Sequence, residues 1–138
     1  MAEALILDSE ALNALANRLE RGVLAERARA ILEFALNRRA LVRVPAPVLA
    51  EVCRGPRFDA AVDHVLAARG ILIADLTGDI ARRAGGLLAR HKLSSALAID
   101  ALVVATADAF PAAVIATGEP DDLSRLSAPF KHVRVFAI

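Results

Sequence analysis

Ala4-Leu5-Ile6-Leu7-Asp8-Ser9 is a short apolar run that ends abruptly in an acid and a hydroxyl. Four aliphatic residues without polar alternation describe a strand buried on both faces, as in the middle of a parallel sheet. Asp8 then stands at the carboxyl end of that strand, the edge where open α/β sheets bind ligands because the loops diverge there. Asp and Ser are also the preferred caps for a helix beginning near Glu10. The stretch alone leaves Asp8 either a helix cap or part of a site.

Beyond it the chain alternates strands and helices. Residues 10–20 carry Leu12, Leu15 and Leu19 at helical spacing and stop at Gly22. Residues 24–39 repeat the pattern, so the two are expected as a helical hairpin. Residues 41–44 form a second strand closed by Pro45, and 47–54 a helix with Pro47 near its start. Gly55-Pro56 stops it, and 58–69 is a further amphipathic helix. Residues 71–74 make a third strand, followed by a Thr77-capped helix over 78–91. Ser94 or Ser95 begins the helix that holds Asp100 and ends near Phe110-Pro111. Residues 113–116, 120–126 and 133–138 complete the chain as strand, short helix and strand. Such alternation implies a mainly parallel sheet between two helical layers, a single three-layer α/β/α domain over residues 1–138.

Composition narrows the class. Hydrophobic residues make up 57% of 138 residues, yet no run approaches the ~18–20 apolar residues of a membrane span. The start has no basic segment followed by an apolar one, so no secretory signal is expected and the cytoplasm is the expected location. A single cysteine, Cys53, excludes an internal disulfide and a cysteine-built metal site. Basic and acidic residues nearly balance at 17 to 16, which gives no global field for a nucleic-acid partner. Arg outnumbers Lys 15 to 2; its planar fork suits phosphate, although a GC-rich genome produces the same bias. Without Trp or Tyr, a base-stacking platform is not expected.

The chemistry follows from asking which acids share one edge of the sheet. Asp8 follows the first strand, Glu51 lies one turn past Pro47, Asp100 opens an otherwise apolar helix, and Glu119 follows the fourth strand, with Asp121 and Asp122 close behind. Each also has a structural reading, as an N-cap, an exposed helix face or a first-turn charge. Together they repel unless a cation joins them or one takes up a proton. A convergent set therefore calls for a divalent metal, and oxygen-only ligands favour Mg²⁺ or Mn²⁺.

With these residues in place, the chain resembles a PIN domain, and within that family the small ribonuclease toxins of the VapC type from type II toxin–antitoxin systems. Four segments carry the resemblance in order: Leu5-Ile6-Leu7-Asp8-Ser9-Glu10-Ala11-Leu12, Val44-Pro45-Ala46-Pro47-Val48-Leu49-Ala50-Glu51-Val52, Asp100-Ala101-Leu102-Val103-Val104-Ala105-Thr106-Ala107 and Thr117-Gly118-Glu119-Pro120-Asp121-Asp122-Leu123. The resemblance implies a PIN-like fold and Mg²⁺- or Mn²⁺-dependent hydrolysis of RNA phosphodiesters. It places the metal-binding and catalytic acids at Asp8, Glu51, Asp100 and Glu119. The family most often has Asp where this chain has Glu119, so Asp122 or Asp121 could supply the fourth ligand instead. Thr117 would orient that loop or hold a metal-bound water.

The same resemblance implies an RNA substrate, a cognate antitoxin and a homodimer. High hydrophobic content predicts an exposed apolar patch, and the helix pair spanning residues 10–39 is the expected groove for a partner's amphipathic segment. Arg54 and Arg125 are candidates to hold substrate phosphates. Cys53 has no obvious base, and His64, His91 and His132 are scattered, so none is expected to be catalytic. A phosphoryl-accepting receiver domain fits poorly, because neither Lys92 nor Lys131 follows a strand in the required way. The remaining alternative is a PIN-like fold kept as a protein-binding module.

Overall fold

The computed structural model describes residues 3–138. Within them the chain runs β1 (Ala4–Leu7), α1 (Ser9–Ala16), α2 (Arg18–Arg21), α3 (Val23–Asn37), β2 (Leu41–Pro45), α4 (Ala46–Val52), α5 (Pro56–Leu66), β3 (Ile71–Ala74), α6 (Gly78–Arg90), a 3-10 turn (Ser95–Leu97), α7 (Ala98–Asp108), β4 (Ala113–Thr117), α8 (Pro120–Ser127) and β5 (Val133–Ala137). The five described strands pair in parallel in the order β3-β2-β1-β4-β5. Strand β1 is central, and all four of its residues are buried. This is the doubly covered position that its unbroken apolar run predicts.

The helices form two packed groups. Helices α1, α3, α4 and α5 gather around α1, while α6, α7 and α8 pack together. Helix α7 touches β1, β2, β4 and β5 and buries Ala101, Val103, Val104, Ala105, Thr106 and Ala107. The core joins Ile6, Leu7, Leu12, Val44, Val104, Ile115 and Leu123 across both layers. Burying a side chain of this size contributes about 1.5–3 kcal/mol.

Several boundaries differ from the sequence reading. The helix expected over residues 10–20 breaks at Asn17, which leaves helical geometry at φ −114° and ψ 56°. Its amide donates to the Asn13 carbonyl and its side chain bonds the Asn13 side chain. The backbone turns out of the helix at Asn17, and α2 starts afresh at Arg18. Strand β2 extends through Pro45, which pairs with Ala74. Ser94 caps the 3-10 turn rather than the Asp100 helix, which begins at Ala98. That helix ends at Asp108, before Phe110-Pro111. Strand β3 is an edge strand, and its Leu72 and Ile73 are 58% and 43% exposed. No described helix is long and apolar enough to cross a membrane.

Candidate metal centre

The chain goes from β1 to β2 on one side and later returns to β4 on the other, so the strand order reverses at β1. Such a switch point opens a crevice at the carboxyl edge, here between the ends of β1 and β4. The register Leu7↔Ala116 and the Asp8 amide donating to the Ala116 carbonyl at 3.3 Å bring Asp8 level with Thr117. Both are buried. Asp8 Oδ1 accepts from the Ala11 amide at 2.9 Å, so Asp8 is the cap of α1 as well as an acid in the crevice. The Thr117 hydroxyl donates to Asp8 and its oxygen accepts from the Glu119 amide at 3.0 Å. Next to it, a Cβ on Gly118 would stand 3.2 Å from Glu10 Cβ and 3.3 Å from Glu10 Oε2. The close approach of α1 favours glycine there.

From the second crossover, Glu51 on α4 reaches the same edge. Ser9, the first residue of α1, donates its hydroxyl to Glu51 Oε1 at 2.5 Å. Asp100 lies in the first turn of α7, half-buried, where the helix dipole favours an acid. Its carboxyl is nevertheless pushed up to about 6, by burial first and then by the charges of Glu51, Asp122 and Glu119. Asp8 is likewise raised to about 6 by burial, with smaller upward pushes from Glu10 and Asp100. The bonds from Thr117 and Ala11 lower it only in part. Among the described residues no basic side chain counteracts either shift.

Asp8, Glu51, Asp100, Glu119 and Asp122 are thus delivered to one edge by four separate segments, and their charges converge on Asp100 and Asp8. They do not close on a point: no three of the described His, Cys, Asp and Glu side chains stand close enough to ligate one ion together. Glu119 and Asp121 are exposed, while Asp122 is half-buried. The donors nonetheless fit a hard divalent cation. They are all oxygens, they press like charge on Asp8 and Asp100, and Mg²⁺ is commonly held by one or two carboxylates while it keeps several waters.

Other candidates fall outside this cluster. Arg54 is folded back on its own helix, its Nη1 donating to the Ala50 and Cys53 carbonyls at 2.7 and 2.8 Å. Burial, with Asp59 and Asp63, pushes the Cys53 thiol up and away from the nucleophilic thiolate. His132 Nε2 lies 3.0 Å from Asp108 Oδ1 at the far end of α7, and its ring meets Phe130 edge-on. By residue type Ser9 is only a helix cap, yet it joins the cluster through Glu51. The signal was its place directly after Asp8, but its partner lies 42 positions away.

A groove of about 930 Å³ is lined on one side by α3, the second helix of the expected hairpin. It runs between that helix and β5. Ile31, Phe34 and Phe136 line it, with Arg27, Arg38 and Arg39 also on its walls. The Arg38 guanidinium stacks over the Phe34 ring, 5.2 Å from its centre, and Arg134 is paired with Glu3 at 2.8 Å.

A parallel α/β domain with acids gathered at its switch point defines the class: a fold built to hold an acidic site at the carboxyl edge of its sheet. The PIN domain family model matches residues 5–128, and the chain belongs to that family. Among solved structures it is similar to the crystal structure of VapBC2 from Rickettsia felis bound to a DNA fragment from their promoter. The two share 14% identity and a TM-score of 0.66, over 97% of this chain and 98% of that one. No curated protein matches the sequence. PIN domains are generally nucleases, and they generally use divalent metal ions.

Proposed function

We propose that this protein is a Mg²⁺- or Mn²⁺-dependent endoribonuclease of the VapC type, the toxin of a toxin–antitoxin pair. One observation carries the reading. In a PIN-family chain, Asp8 and Asp100 meet at the switch-point crevice, both raised to about 6 by burial and by neighbouring acids, without a described basic side chain to balance them. A buried acidic cluster of this kind is what a divalent cation stabilises.

Asp8 and Asp100 are the direct ligands in this reading. Glu51, Asp122 and Glu119 complete the shell directly or through water. When bound, the ion lowers the pKa of a coordinated water and neutralises charge on the phosphate under attack. The chain's own contribution is placement. Thr117 holds Asp8 and the Glu119 backbone in one unit, and the buried body of α7 fixes Asp100. No side-chain nucleophile is needed, which agrees with the raised thiol of Cys53.

The antitoxin is assigned to the α3–β5 groove. Its apolar floor suits the apolar face of an amphipathic helix, and Arg27, Arg38 and Arg39 suit acids on the flanks of that helix. A homodimer is assigned to the edge of β3, where Leu72, Ile73 and Leu76 are exposed and no charge guards the strand. Light scattering at micromolar concentration tests the dimer, and a clean monomer overturns it.

Calorimetry with Mn²⁺, paired with cleavage of RNA, tests the nuclease reading: the wild type binds and cleaves, and Asp8→Asn does neither. Expression in a host adds the biological arm, with growth arrest relieved by an acidic upstream partner. One observation favours the binding-module alternative, namely that no three described acids share reach of a single ion. It predicts no Mn²⁺ binding by the wild type and no difference from Asp8→Asn.

A further inference from the structure

We infer that Ser9 is a positioning residue that holds Glu51 in the acidic cluster through the hydrogen bond from its hydroxyl to Glu51 Oε1 at 2.5 Å. The inference rests on the metal-site reading above and adds to it a residue that does not itself carry charge. Glu51 is the sixth residue of the seven-residue helix α4, and it is exposed. Its flexible side chain has every electrostatic reason to turn outward, because it is the acid that most strongly raises Asp100. Exposed acids that repel one another swing into water unless something retains them. The Ser9 hydroxyl supplies that restraint as a charge-assisted donor.

The position of Ser9 makes the restraint specific. It follows Asp8 directly, and the Asp8 cap on the Ala11 amide at 2.9 Å fixes the backbone of this turn. The segment that presents Asp8 therefore also presents the donor. Glu51, delivered by a different crossover 42 positions away, is registered against Asp8 rather than only against its own short helix. The bond occupies Oε1 and leaves Oε2 for an ion or for a water bound to it. Ser9 binds no metal here; it acts through Glu51.

Mn²⁺ titration calorimetry of the full chain at pH 7.5 tests this, with metal-free thermal unfolding as the control for folding. Ser9→Ala weakens Mn²⁺ binding about fivefold to tenfold, the upper range for the net loss of one solvent-exposed hydrogen bond. Ser9→Cys, of similar shape but a weak donor, weakens it comparably, and Ser9→Thr binds within about twofold of wild type. In a Glu51→Gln background, Ser9→Ala causes little further loss, because the two act as a unit. Wild-type affinity in both Ser9→Ala and Ser9→Cys overturns the inference, as do losses that multiply independently in the double variant. A wild type that binds no Mn²⁺ overturns the metal-site reading itself, a separate result.

Discussion

Thr117 and Asp8 are joined by a buried hydrogen bond across the ends of β4 and β1, and the same hydroxyl accepts from the Glu119 amide. A single small side chain thus couples the first acid of the crevice to the loop that carries the last. Thr117→Val keeps the shape and removes both bonds. It leaves the Glu119 amide short of a partner and takes away part of what lowers Asp8. The expected cost is about 1–3 kcal/mol in urea unfolding, with the pH midpoint of Mn²⁺ binding moved upward. Thr117→Ser restores both, and equal behaviour of Val and Ser variants would count against the coupling.

The raised acids set a pH dependence with a definite sign. Asp8 and Asp100 go from 3.8 to about 6 on folding, so the folded chain binds more protons than the unfolded chain between those values. Their contribution is most favourable below about pH 4, falls as pH rises to about 6, and stays low above it. Each shift amounts to at most about 2–3 kcal/mol. Metal-free melting temperature in the wild type should fall over this window relative to the Asp8→Asn/Asp100→Asn double variant, and Mn²⁺ should recover it above pH 6. Parallel profiles for the two proteins would contradict the assignment.

Asp8→Asn separates the two roles of that residue. Asn still caps α1 by accepting from the Ala11 amide, but it carries no charge. Without metal at pH 7.5 the variant should be more stable than wild type by about 1–2 kcal/mol, and it should bind no Mn²⁺. Asp8→Ala loses the cap and forfeits about 1 kcal/mol relative to Asn. Chemical unfolding of the three proteins ranks Asn highest if both roles are real.

Exposure favours Asp122 over Glu119 as the proposed fourth acid. Asp122 is half-buried and raises Asp100 more than the exposed Glu119 does. Asp122→Asn should therefore weaken Mn²⁺ binding more than Glu119→Gln, by about threefold or more. The reverse order, measured by calorimetry, would return the role to Glu119.

The groove can be broken without touching the crevice. Phe34 is 60% exposed and sits under the Arg38 guanidinium. Phe34→Glu and Arg38→Glu place negative charge where an acidic helix is expected, and each should cut antitoxin affinity at least tenfold. Stability should change by less than about 1 kcal/mol, as is usual at exposed positions, and Mn²⁺ binding should be unchanged. Retained antitoxin affinity in both variants would move the docking surface elsewhere.

By itself the sequence determined the order of strands and helices, the central place of residues 4–7, the capping residues Asp8 and Thr77, and the acids worth testing. Those features are local: an apolar run, a helical period and a cap are each written in a few neighbouring residues. Tertiary structure decided the rest. It made β3 an exposed edge, turned Arg54 back onto its own helix, opened a groove between α3 and β5, and paired Ser9 with Glu51. It also left Glu119 exposed and Asp122 half-buried. Burial and contact between segments many positions apart depend on how the crossovers pack, and no local pattern records that. The stretch ending in Asp8-Ser9 belongs to both accounts: its strand was legible from four residues, but the company its acid and hydroxyl keep was settled only by the fold.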